Sequence, residues 1–211
     1  MSGFFITMEG VDGSGKSEQS KMLFEYLKSK GHDVILTREP GGTAISEKIR
    51  DIILDKSNSL MSKMTEALLY AAARSQTVSE LIVPALLDGK IVISDRFLDS
   101  SLVYQGIARG LGVDNIEIVN SFATKTVKAD ITFLLDLRPN DAHKRKLADM
   151  AKLDRLELEP EDFHEKVYYG YRQIAEKYSD RIRIIDAARP KDIIHEQIIG
   201  ILKNVMKGEL L

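Results

Sequence analysis

Cysteine is absent from the 211 residues, which excludes a disulfide framework, a thiol nucleophile and a cysteine-ligated zinc site. Neither sign of charge is in excess: 30 basic residues stand against 32 acidic ones, a formal charge of −2. A duplex-binding surface usually carries a basic surplus, so nucleic acid is not an expected partner. No apolar run approaches the ~20 residues of a membrane-spanning helix. The first apolar stretch, Phe4–Met8, is too short for a secretory signal, and no basic segment precedes it. These absences lead to the expectation of a cytoplasmic chain without a membrane partner. There is no internal repeat and no low-complexity tract. At 44% hydrophobic and 29% charged, the composition is that of an ordinary globular protein, and the length suits one domain, 1–211.

Strand-like runs are short, rich in Ile, Val and Phe, and nearly continuous: Phe4–Met8, Asp33–Thr37, Ile91–Ser94, Ile131–Asp136 and Ile182–Asp186. Continuous rather than alternating apolar character is what strands buried on both faces of a parallel sheet require. Helical periodicity fills the gaps, as in Glu18–Lys30, Thr65–Leu87, Glu161–Tyr178 and Pro190–Met206. The alternation predicts an α/β fold with a five-stranded parallel sheet flanked by helices. Pro139–Glu159 stands apart. It is dense in charge and helical at its start, Asp141–Leu147, but its apolar pattern then fades. It reads as an excursion over the sheet, either a short mobile lid or a solvated surface helix.

The first strand runs into Gly10-Val11-Asp12-Gly13-Ser14-Gly15-Lys16-Ser17, the pattern G-x-x-x-x-G-K-S, with a helix directly after it. Glycines let the backbone turn tightly and aim its N–H groups at phosphate oxygens. The helix adds its positive N-terminal end. Lys16 can reach the β- and γ-phosphates of ATP, and the Ser17 hydroxyl can hold Mg²⁺. This is a P-loop NTPase signature in its required strand–loop–helix setting.

A P-loop names a nucleotide without naming the reaction. A switch GTPase would carry N-K-x-D after a later strand, and neither that motif nor a transport-ATPase signature is present. Instead Asp95-Arg96 follows the strand Ile91–Ser94. A carboxylate there can help hold Mg²⁺ or its water shell, and the arginine fork can take a second phosphate. A surface ion pair would look the same in sequence. Beside a P-loop, the pair points to a nucleotide kinase.

The chain resembles the bacterial thymidylate kinases over nearly its whole length. The blocks that carry the resemblance are Glu9–Ser17, Thr37-Arg38-Glu39-Pro40-Gly41-Gly42-Thr43, Tyr70-Ala71-Ala72-Ala73-Arg74, Asp95-Arg96-Phe97, Ser100-Ser101-Leu102-Val103-Tyr104-Gln105-Gly106 and Leu153-Asp154-Arg155. The resemblance implies ATP-dependent phosphorylation of thymidine 5′-monophosphate to the diphosphate, for dTTP synthesis. By the same token Tyr70, where phenylalanine is more usual, stacks on thymine, and Arg74 contacts a thymine carbonyl oxygen. Arg96 holds the acceptor phosphate, Ser101 lies near the base, and Gln105 lies beside Tyr104. Tyr104 packs on the sugar and disfavours a 2′-hydroxyl. Asp12 lies near the acceptor and the metal, while Glu39, Pro40 and Arg50 shape the acceptor pocket. Tyr171 either closes over the sugar or packs within its helix. A homodimer is implied too, with Thr65–Leu87 as one possible interface.

One branch of the family carries an arginine in the P-loop where this chain has Gly13. Members lacking it supply that charge from the lid, here approximately 139–159. Lys144, Arg145, Lys146, Lys152 and Arg155 are the candidates, with Arg155 first and Arg145 second. Ala148 and Met150 stand where relatives often have arginines, so this lid departs from the pattern. The four histidines fit no metal spacing. Rival readings are a deoxynucleoside kinase, a kinase for another nucleoside monophosphate, and a nucleotide-binding module without turnover.

Overall fold

The run Phe-Phe-Ile-Thr-Met-Glu can bury nearly every side chain only at the centre of a sheet, and that is where β1 (Phe4–Glu9) lies. In the computed structural model, which describes residues 3–146 and 154–206, five strands form one sheet. They are β1, β2 (Val34–Arg38), β3 (Ile91–Asp95), β4 (Ile131–Asp136) and β5 (Ile182–Asp186), in the order β2-β3-β1-β4-β5 with every pair parallel. The α/β expectation holds, with strand bounds shifted by no more than one residue.

Nine α-helices connect and cover the sheet among the described residues: α1 (Lys16–Ser29), α2 (Ala44–Leu54), α3 (Lys63–Thr77), α4 (Val83–Leu87), α5 (Leu98–Ser101), α6 (Val113–Thr124), α7 (Pro139–Lys146), α8 (Glu161–Lys177) and α9 (Lys191–Val205). The expected helix Thr65–Leu87 is α3, a π-helical stretch Val78–Ile82 and α4 in one run. Pro84 has no N–H for the Glu80 carbonyl, and the helix widens just before it. A second π stretch, Leu102–Ala108, extends α5. The sheet core, including Ile6, Met8, Ile93, Phe133 and Ile185, is fully buried between helix-borne Leu23, Leu27, Val167 and Ile198.

Register places the working ends of the strands level with each other. Met8 and Arg38 both sit opposite Asp95. Glu9, Glu39 and Arg96 therefore leave the sheet side by side, at the carboxyl edge where open α/β sheets bind ligands. The stretch read as a lid opens with α7; its centre, 147–153, lies outside the described residues, together with Lys152, Ala148 and Met150. No helix among the described residues is long and apolar enough to cross a membrane.

Candidate active site

The loop between β1 and α1 is shaped by positions that only glycine fills comfortably. Gly10 has φ 141° and Gly13 φ 85°. A Cβ on Gly13 would stand 2.7 Å from the Ala142 carbonyl oxygen, so α7 can lie directly against the loop. Lys16 is buried, with its Nζ donating to the Val11 carbonyl at 2.8 Å. Burial, and then the nearby Arg96 charge, pull its pKa down to about 8. Ser17 donates to Asp95 Oδ2, which brings the two expected metal ligands together. No cluster of three or more His, Cys, Asp or Glu suited to a metal exists among the described residues. Two hard oxygens beside a phosphate loop suit Mg²⁺, which commonly takes one or two protein oxygens plus substrate phosphates and water.

A cleft of about 1020 Å³ runs along the carboxyl edge of the sheet. One end is lined by the P-loop with Arg145, Ala188, Arg189, Lys191 and Ile194. The other is lined by Arg38, Glu39, Pro40, Arg50, Tyr70, Ser101, Tyr104 and Gln105, with Asp95 and Arg96 between. The volume is at the upper end of the ~300–1,000 Å³ usual for a small-molecule site.

Arg96 joins the two ends. Its backbone is in the left-handed region, φ 71°, a conformation strained for a residue with a Cβ and retained where the surroundings over-determine it. Its Nη1 donates to the Gly10 carbonyl at 3.1 Å, Ser100 Oγ at 3.0 Å and the Tyr171 hydroxyl at 3.0 Å. Its Nη2 donates to Asp12 Oδ1 at 2.5 Å and reaches the Tyr104 hydroxyl at 3.5 Å. The guanidinium also lies over the Tyr104 ring, 5.3 Å from its centre. Burial alone would lower the Arg96 pKa, but Asp12 and the two tyrosines raise it, so the charge is secured.

Several expected residues lie elsewhere. Arg74 is 1% exposed and does not line the cleft. Its Nε donates to Glu39 at 2.7 Å, its Nη1 to Ser101 and Asn120, and its Nη2 to the Phe97 carbonyl at 2.9 Å. Four of the five guanidinium N–H groups thus serve the protein. Tyr171 is buried beneath Arg96, its hydroxyl donating to Glu9 Oε2 at 3.0 Å, so it packs rather than covers a sugar. Arg155, expected as the lid cation, is buried and absent from the cleft wall. It donates to the Ile53 carbonyl at 2.9 Å and to Glu66 at 2.7 Å, because a buried guanidinium is drawn to the nearest buried carboxylate. Arg145 does line the cleft, with Nη2 on the Ala187 carbonyl at 2.9 Å. Lys144 is exposed and paired with Asp141, and the Lys146 side chain lies outside the described residues.

Sequence reasoning gave no role to Glu9, Arg38, Ser100 or the Arg189-Pro190-Lys191 loop. Glu9 is buried, accepting from the backbone N–H of Phe97 at 2.8 Å and from Ser100 Oγ at 2.6 Å. Burial, and then repulsion from Asp99, raise its pKa to about 7. Arg38 Nη1 and Arg50 Nη1 converge on the Pro40 carbonyl, at 3.0 and 2.8 Å. The available signal was positional for Glu9 and Arg38, which end strands, and for the loop after β5, all at the ligand-binding edge. Ser100, inside α5, is set by Glu9, 91 positions away.

The thymidylate kinase family model matches residues 8–198. A thymidylate kinase from Thermoanaerobacter sp. strain X514 is 46% identical over 206 residues, covering 98% of this chain and 100% of its own. One from Finegoldia magna is 49% identical over 199 residues, covering 94% and 97%. Among solved structures, the thymidylate kinase of Ehrlichia chaffeensis aligns with a TM-score of 0.78 at 33% identity, covering 95% of this chain and 98% of that one. Likeness of this extent, in sequence and in fold, establishes that the chain belongs to the thymidylate kinase family.

Proposed function

We propose that the cleft transfers the γ-phosphoryl group of ATP directly to the phosphate of thymidine 5′-monophosphate, giving ADP and the diphosphate used for dTTP. The observation that carries this reading is the pair of cations, Lys16 and Arg96, in one cleft, the second bridged to the P-loop by Asp12. Arg96, with Arg38 and Arg50 on the same cleft, offers charge for a second phosphate beyond the loop, although Arg38 is also paired with Glu47.

In the reaction an oxygen of the acceptor phosphate forms a bond to the γ-phosphorus as the bond to the β–γ bridging oxygen breaks. The P-loop amides and Lys16 hold the donor phosphates, and Arg96, with Arg38 and Arg50, holds the acceptor in line. Ser17 and Asp95 would hold Mg²⁺, which when bound neutralises charge on the β- and γ-phosphates. Tyr70 supplies a face for the thymine ring, and Tyr104 crowds the sugar where a 2′-hydroxyl would lie. Gln105 and Ser101 offer polar contacts to the base edge, and Arg74 holds Ser101 from behind the cleft wall. Asp12 orients Arg96 toward both phosphates. Arg145, rather than Arg155, is the described lid-arm cation available to the donor phosphates. The arms 139–146 and 154–159 act as a cover that excludes water from the transferring group.

We also read the chain as a single-domain cytoplasmic enzyme acting as a homodimer. Leu68 on α3 and Ile118 and Phe122 on α6 support the dimer: they are 52%, 62% and 81% exposed on helices that pack side by side. Incubation with ATP, Mg²⁺ and thymidylate should yield ADP and thymidine diphosphate in equal amounts. ADP without the diphosphate, or neither, would overturn the reading.

A further inference from the structure

Glu66 lies in the first turn of α3, one helical turn before Tyr70, and is 1% exposed. A carboxylate taken so far from water must be compensated by hydrogen bonds and opposite charge. Four donors supply that. Oε1 accepts from Gln105 Nε2 at 3.0 Å and Arg109 Nε at 3.1 Å; Oε2 accepts from Arg109 Nη2 at 3.0 Å and Arg155 Nη2 at 2.7 Å. Arg109 is further paired with Glu159 at 2.7 Å, so two guanidiniums face two carboxylates.

Glu66 does not touch the cleft, but Gln105, one of the side chains it holds, does, and so do the two chain neighbours of Arg155. Gln105 lines the acceptor end, and Arg155 sits between Asp154 and Leu156, which line it as well. The Arg155 backbone N–H donates to the carbonyl of Leu54, another cleft residue, at 3.2 Å. A carboxylate only accepts, so Gln105 must turn its amide nitrogen to Glu66, leaving its carbonyl oxygen for other donors.

We infer that Glu66 is a positioning residue for the acceptor pocket, setting Gln105 and the segment 154–159 with one carboxylate. The inference rests on the kinase reading of the cleft. Glu66→Gln keeps the volume, removes the charge and presents an amide to groups that are all donors.

The test is steady-state kinetics on wild type, Glu66→Gln and Arg155→Met, with melting temperatures for each. Glu66→Gln should raise KM for thymidylate about tenfold or more while KM for ATP stays within about twofold. Arg155→Met leaves Glu66 with Arg109 and Gln105, and should raise the same KM by a smaller factor. The double variant should fall short of the product of the two effects, because both act through one contact. Folded variants with an unchanged acceptor KM would overturn the inference alone. So would losses shared equally between acceptor and ATP, which would mark a merely structural role. If Glu66→Gln fails to fold, Arg155→Met decides by the same two measures. A wild-type chain inactive on thymidylate would overturn the functional reading, and this inference with it.

Discussion

Arg96 Nη2 lies 2.5 Å from Asp12 Oδ1, tying the residue after β3 to the middle of the phosphate loop. A charge-assisted contact at that distance fixes the guanidinium plane, and with it the angle at which a second phosphate can approach the first. Arg96→Ala should lower kcat/KM for thymidylate by about a hundredfold or more, with KM for ATP little changed. Arg96→Lys should recover little, since an ammonium lacks the planar fork. Full activity in Arg96→Lys would mean that charge alone matters there.

Lys16→Ala should cut kcat by roughly 100- to 1000-fold, the scale of losing one transition-state donor, while the melting temperature moves by only a few degrees. Because Lys16 is buried against the Val11 carbonyl, circular dichroism must accompany the kinetics. Undiminished turnover in a folded variant would remove the loop from the reaction.

The two candidate lid cations should separate. Arg145→Ala should slow a single turnover at saturating substrates by about tenfold or more, since it removes charge from the cleft wall. Arg155→Ala should leave that step within about threefold and instead lower stability, because it strips a partner from buried Glu66. The reverse ordering would restore Arg155 as the catalytic cation.

Glu9 gives a pH signature. Its pKa in the fold is raised from 4.5 to about 7, first by burial and then by Asp99, with Arg96 opposing. Between pH 4.5 and 7 the folded carboxyl keeps its proton while the unfolded one loses it. Its contribution to stability therefore falls as pH rises through that window and is level above it. Glu9→Gln should remain folded, since Ser100 and Tyr171 hydroxyls can turn to accept, and should show a flatter stability profile from pH 4.5 to 7 than wild type. Parallel profiles would contradict this.

How much was legible in the sequence depended on how local each signal is. All five strands were read to within one residue, but burial on both faces, the reason for expecting them, holds for β1, β3 and β4 alone; β2 and β5 are edge strands that leave Leu36 and Ile184 exposed. The P-loop was legible because its chemistry is held in eight consecutive residues. The π stretches were not, because Val78–Ile82 keeps the apolar spacing of an ordinary helix. Arg74 and Arg155 mark the limit most clearly. Their partners Glu39, Asn120 and Glu66 lie 35, 46 and 89 positions away. Whether an arginine faces a ligand or a buried carboxylate is decided by such distant segments, and no periodicity reports on them.

The acceptor preference of the wild-type chain separates a thymidine monophosphate kinase from its rivals. ADP release from ATP and Mg²⁺ would be compared for thymidine monophosphate, thymidine, and the monophosphates of uridine, deoxyuridine, cytidine, adenosine and guanosine. The highest kcat/KM is expected for thymidine monophosphate, with negligible turnover of thymidine if Arg96 holds an acceptor phosphate as proposed, and of ribonucleotides if Tyr104 crowds the sugar as proposed. Turnover of thymidine equal to or above that of its monophosphate would contradict it.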